Sequence, residues 1–244
     1  MFQNSNLQEA IESVRYHQCG LEAANNAYIT ALQNYAASLS SGAGQLAIGN
    51  LLAGPKPRVY ELLICLDSAK TLEIDRTCGT PSGAELTSKM LSFGVKHNRG
   101  AVLVHNHPSQ GSLSDSDWKI LFNFPGVKEI VAVNSSGSVF SGKVTTSTTA
   151  GSIPTQLINQ QDNSATVKQE IDYKIAGNSL PNVNMKMFDD VKYLISHLVN
   201  EHYDTKGIIS YSATLSNADN ASLNDPKFIP ILAAIQAEIT LLIP

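Results

Sequence analysis

Cysteine is scarce: Cys19, Cys65 and Cys78 are the only three in a chain of 244 residues. So few and so scattered, they supply neither a disulfide framework nor a cysteine-based zinc site, and they read as reduced, mostly buried thiols of a cytosolic protein. Cys78, just before Gly79-Thr80, could approach a functional site, but packing is the expected role. Charge is thin as well. With a net charge of −4 and no cluster of Lys or Arg, the chain has no electrostatic footprint for a phosphate backbone, so nucleic acid is not an expected partner. Long apolar runs are missing too. The N-terminus lacks a basic start followed by an apolar stretch, and the most apolar tail, Phe228 to Pro244, is interrupted by Pro230, Gln236 and Glu238. That tail reads as a packed helix, no membrane partner is expected, and the expected location is cytoplasmic, with export by a route without a cleaved signal still compatible.

What is present is enough to build a core. Hydrophobic residues make up 43% of the chain, sufficient for one large or two small domains. Residues 6 to 38 carry apolar positions in a helical rhythm with a break near Gly20, suggesting a helical pair, and Ser38 to Pro57 is a Gly/Ala/Ser-rich connection. From 57 to 145 the pattern predicts strands over 58–66 and 71–77, a helix over 82–96, a strand over 100–105 and a helix over 115–123. A hairpin of strands near 128–133 and 137–143 follows, turning at Asn134 to Ser138. Strands and helices mixed in this order indicate an α/β or α+β sandwich. Residues 146–166, rich in Ser, Thr, Gln and Asn, read as a linker. Beyond it, 167–244 reads as a C-terminal module with helices near 185–202 and 226–242 around a short strand at Gly207 to Ser212. His197 and His202, with Asp189, Asp190 and Glu201, read as a solvated helix flank, because the two histidines fall off a common face.

Ala101-Val102-Leu103-Val104-His105-Asn106-His107-Pro108, followed by Ser114-Asp115-Ser116-Asp117, concentrates the chemistry. The apolar run ahead of His105 is a buried-strand pattern, and side chains two apart on an extended chain point the same way. Both imidazoles therefore face one point. Pro108 ends the strand, and Asp117 can return as a third ligand. Two imidazoles and one carboxylate form the open three-ligand set of catalytic zinc, which lowers the pKa of a bound water toward neutrality. Taken alone, His-x-His fits an ordinary exposed strand end better than a metal site. Ser114-x-x-Asp117 ahead of Trp118-Lys119-Ile120-Leu121-Phe122 also fits a capping box with Ser114 as N-cap, and a helix start can both cap itself and hold a ligand.

His105-Asn106-His107-Pro108-Ser109, a short loop, then Ser114-x-x-Asp117 resembles the metal motif of the JAB/MPN (JAMM) metallopeptidases, and the form bearing Asn106 is closest to the RadC-like branch. Leu66-Asp67 and Gly79-Thr80 fall in the order of that branch, so the resemblance covers 57–145. The loop is one residue shorter than the usual family spacing, which leaves Asp115 as the alternative to Asp117. The resemblance implies a JAB/MPN-like, cytidine-deaminase-like mixed sheet flanked by helices, here with a helical N-terminal extension (1–56) and a small α/β C-terminal module. It implies one zinc ion per chain held by His105, His107 and Asp117, and a glutamate base upstream. Glu61, heading the apolar run Leu62 to Leu66, is the choice. The branch usually places its glutamate where this chain has Val59, and a shift of two keeps the side chain on the same face. Glu73, Asp75 and Glu85 are weaker candidates. Ser114 would stabilise the oxyanion, or serve only as a cap. The activity implied is hydrolysis of a peptide or isopeptide bond at the C-terminus of ubiquitin or a ubiquitin-like protein. A non-catalytic MPN scaffold, which predicts no carboxylate near His105, and a RadC-like protein of DNA metabolism are the alternatives.

Overall fold

The computed structural model describes residues 61–80, 83–96, 100–107, 110–134, 136–145 and 160–243. The helical pair expected over 6–38 and the connection to Pro57 lie outside the described residues, as does Val59. Six strands form one mixed sheet: β1 (Leu62–Asp67), β2 (Glu73–Cys78), β3 (Ala101–Asn106), β4 (Val127–Val133), β5 (Val139–Lys143) and β6 (Ser210–Thr214), in the spatial order β2-β1-β3-β4-β5-β6. Among the described residues only β3 and β4 run parallel. A parallel pair needs a crossover, and helix α2 (Asp115–Asn123) provides it. The start of that crossover lies at the carboxyl end of β3, a position where open α/β sheets commonly place their sites.

Period-two alternation divides the sheet into two buried faces. Leu62, Ile64 and Leu66 of β1 share one with Val102, Val104, Val131 and Val133. Leu63 and Cys65 share the other with Leu103, Ile130, Ala132 and Phe140, and α2 adds Trp118, Leu121 and Phe122 to it. Helix α1 (Ser88–Lys96) packs near β2. It begins later than the expected 82, because Thr87 sets its start. The Thr87 hydroxyl accepts from Met90 N at 3.2 Å and donates to Asp75 Oδ2 at 2.6 Å.

The C-terminal residues complete the same sheet and the same core. Helices α3 (Gln160–Ala176), α4 (Met185–Val191), α5 (Ile195–Thr205), α6 (Asn217–Asn224) and α7 (Ile229–Leu242) follow β5, with β6 between α5 and α6. β6 pairs antiparallel with β5 from Val139↔Thr214 to Lys143↔Ser210. Val167, Ile171, Val199, Tyr203, Ile231, Ile235 and Ile239 join the cluster that holds Trp118 and Phe140. The sheet and that core therefore both run across the boundary drawn between 57–145 and 167–244. The expected linker to 166 also overlaps α3, and the single helix expected over 185–202 is α4, a three-ten turn (Lys192–Leu194) and α5.

The reading of His197 and His202 as a solvated flank is corrected. Only 2% of His197 and 8% of His202 remain exposed. His197 Nδ1 meets the Tyr211 hydroxyl at 2.9 Å and His202 Nε2 meets the Ile243 carbonyl at 2.7 Å, so each buried ring has a partner. Asp189, Asp190 and Glu201 are exposed, as expected.

Candidate metal centre

β3 places His105 and His107 on the face that α2 covers, and the first turn of α2 delivers Asp117. His105 Nε2 and His107 Nε2 are 2.9 Å apart, His105 Nε2 lies 3.0 Å from Asp117 Oδ1, and His107 Nε2 lies 3.3 Å from Asp117 Oδ2. These three residues form a group able to hold a metal ion. His105 Nδ1 lies 3.1 Å from the Val131 carbonyl and His107 Nδ1 lies 3.4 Å from the Gly111 carbonyl. A carbonyl only accepts, so both Nδ1 atoms carry the proton and both neutral rings turn Nε2 lone pairs inward. Two lone pairs and a carboxylate at this spacing need a positive charge between them. The separations approach the ~3.3 Å edges of a tetrahedron whose donors sit about 2.0–2.1 Å from zinc. The donor set therefore fits a metal cation, and a proton on one ring is the substitute.

Electrostatics point the same way. Burial alone would push His105 down, but the Asp117 carboxylate, its hydrogen bond and Glu61 together leave the imidazole raised. Burial would likewise raise Asp117, yet His105 and then His107 hold its carboxyl well below the usual carboxylate range. Asp117 stays ionised, as a ligand must.

Local sequence fixes these positions. Ser114 and Asp117 make a reciprocal capping box: Asp117 N donates to Ser114 Oγ at 3.4 Å, and Asp117 Oδ2 accepts from Ser114 N at 2.7 Å. The Ser114 hydroxyl lies 2.7 Å from the same Oδ2 and donates to it. Its capping part is present; stabilising an oxyanion would require the hydroxyl to turn away from Asp117. Asp115 is engaged elsewhere, 2.8 Å from Lys119 Nζ, so the choice between the two aspartates falls to Asp117.

Glu61 stands just ahead of β1. Its backbone is clamped to β2 by Glu61 N to Thr80 O at 3.1 Å and Gly79 N to Glu61 O at 2.8 Å. β1 pairs with β3 so that Leu63 faces His105, and the same register carried two residues on sets Glu61 opposite His107. Burial raises its carboxyl, with Asp117 adding to the rise, while His105 and His107 pull it back. Of the weaker candidates, Glu73 is ion-paired to Arg76, Asp75 accepts from Thr87, and Glu85 lines the cleft beside the site. That cleft, about 1040 Å³, is also lined by Glu61, Gly79, His107, Ser114 and Asp117, with Ser164, Lys168 and Ser196 on its far wall.

Comparisons with protein-family models, curated proteins and solved structures return no match. The JAB/MPN resemblance therefore rests on the residues quoted for it. Asn106, there a mark of the RadC-like form, has a physical task here: its Oδ1 accepts from Leu62 N at 2.6 Å, pinning the residue after Glu61 to the strand between the histidines. Alternation gave no signal for this, because Asn106, between His105 and His107 in the chain, belongs to the opposite face of the sheet. Cys78 corrects another expectation. It lines the cleft and is disulfide-bonded, with its partner outside the described residues, so the thiols no longer argue for a reducing compartment. Cys65 is the buried free thiol expected, pushed up to about 12 chiefly by burial. Among the described residues no helix is long and apolar enough to cross a membrane.

Proposed function

We propose that this chain is a zinc-dependent metallopeptidase of the JAB/MPN type that hydrolyses a peptide or isopeptide bond, with the C-terminus of ubiquitin or a ubiquitin-like protein as the leading substrate class. One observation carries the reading: two Nε2 lone pairs and an ionised carboxylate converge within 3.3 Å beside a half-buried glutamate that is not part of the candidate ligand group. His105, His107 and Asp117 would hold one zinc ion per chain, which when bound supplies Lewis-acid polarisation of a water and of the scissile carbonyl. Glu61 takes the proton from the attacking water and passes it to the leaving amine. Burial shifts its carboxyl upward, the direction that helps a carboxylate take up the proton. Ser114 keeps Asp117 oriented through the capping box, and its hydroxyl, turned from Asp117, would be a candidate donor to the oxyanion. Asp117 at 3.0 Å from His105 runs against the scaffold reading, which expects no carboxylate there. The extension to ubiquitin-like substrates rests on family resemblance, because one fold supports many specificities.

The first test is zinc per chain, by elemental analysis. About one zinc in the wild type, retained in Asp115→Ala and lost in His107→Ala and Asp117→Ala, is expected; no zinc even after reconstitution would remove the proposal. Against ubiquitin-like conjugates, Glu61→Gln is expected to keep the zinc and lower turnover by about 10²–10⁴-fold. Unchanged turnover would take the base assignment from Glu61.

A further inference from the structure

Residues 111–114, between the second histidine and Asp117, have no secondary structure of their own to hold them. Gly111 offers its carbonyl to His107 Nδ1, and Ser114 caps the helix that carries Asp117. The backbone groups between those two points need partners from elsewhere. They find them on α5, far along the chain. Asn200, fully buried, donates from Nδ2 to the Leu113 carbonyl at 3.0 Å and to Ser112 Oγ at 2.9 Å. Its Oδ1 accepts from Trp118 Nε1 at 3.1 Å, on the residue next to the ligand Asp117. One turn earlier, Ser196 Oγ accepts from Ser112 N at 3.1 Å. Four hydrogen bonds from two side chains of α5 thus hold the loop and the first turn of α2 to a single surface.

Resting on the metal-centre reading above, we propose that Asn200 is a positioning residue for the metal, with Ser196 as its auxiliary, and that α5 braces the centre from the C-terminal part of the chain. The argument is geometric. Asp117 reaches its place only if α2 starts at the right point, and α2 is held there by Trp118 and by the loop, both bonded to Asn200. An amide is suited to this position because it donates twice and accepts once, which neither a carboxylate nor a hydroxyl does. Outer-shell partners of this kind typically change metal affinity by 10–100-fold when removed.

The experiment uses the full chain and cobalt(II) as the probe, reading both the affinity against a competing chelator and the visible d–d spectrum. Tyr203→Phe serves as control: it removes a bond between α5 and Asn163 at 2.8 Å without touching the loop. Asn200→Ala is expected to weaken cobalt binding about 10–100-fold and alter the spectrum, while Tyr203→Phe leaves both as in the wild type. A folded Asn200→Ala with wild-type affinity and spectrum would overturn the proposal, as would an equal loss in Tyr203→Phe. If Asn200→Ala does not fold, Ser196→Ala decides: several-fold weaker binding supports the brace and unchanged binding overturns it. A wild type that binds no cobalt brings down the metal reading itself, and this inference with it.

Discussion

Asp117 shows how much one side chain carries at the residue scale. Its Oδ1 faces His105, while Oδ2 accepts from the Ser114 backbone and hydroxyl and lies within 3.3 Å of His107. The cap and the candidate ligand are the same carboxylate, and the helix N-terminus favours its charge. His197 shows the opposite environment. Burial pushes its imidazole down to about 4, so it is neutral in the folded chain at pH 7. With an unfolded value near 6.5, its contribution to stability is fully present above pH 6.5 and is lost as pH falls toward 4, by at most about 3 kcal/mol. Urea unfolding of wild type and His197→Gln across this window is expected to show a shallower pH dependence in the variant; parallel curves would contradict it. That His105 and His107 face one point was legible in sequence because strand alternation is a local rule. The burial of His197 was not, because it depends on β6 and Phe140 closing over α5.

At the scale of elements, α2 and β5 meet so closely that only glycine fits. A Cβ on Gly142 would lie 2.5 Å from Trp118 Cη2 and 2.7 Å from Leu113 Cδ1. Trp118 is fully buried and tied to Asn200, so it has no easy way to give. Gly142→Ala is expected to destabilise by about 1–3 kcal/mol through overpacking and to loosen metal binding, since the displaced Trp118 adjoins Asp117. Thermal unfolding combined with zinc retention would check both, and an unchanged melting temperature would mean that the helix slides without cost. The capped helix 115–123 was read from sequence to the residue, because Ser114-x-x-Asp117 signals its start locally. α3 escaped because its apolar stripe is narrow: Val167 and Ile171 are its buried hydrophobics, set in a run of Gln, Asn, Ser and Lys that resembles a linker.

For the molecule as a whole, the six-stranded sheet joins the part bearing the candidate metal centre to the C-terminal part, and one hydrophobic cluster runs through both. The chain is expected to unfold there as one cooperative unit. Fluorescence of Trp118, the single tryptophan, and loss of amide protection in α7 should share a urea midpoint. Two separated midpoints would show that the C-terminal part stands alone. By itself the sequence determined the strands beside the motif, the capped helix and the pairing of His105 with His107, because alternation, capping and two-residue spacing act within a few bonds of the chain. Only the tertiary structure decided that Asp117 and not Asp115 closes the group, that Asn106 secures the strand behind Glu61, and that α5 braces the loop. Each of those depends on which polar groups burial brings together and must satisfy, and that pairing exists only once β1, β3 and α5 are packed.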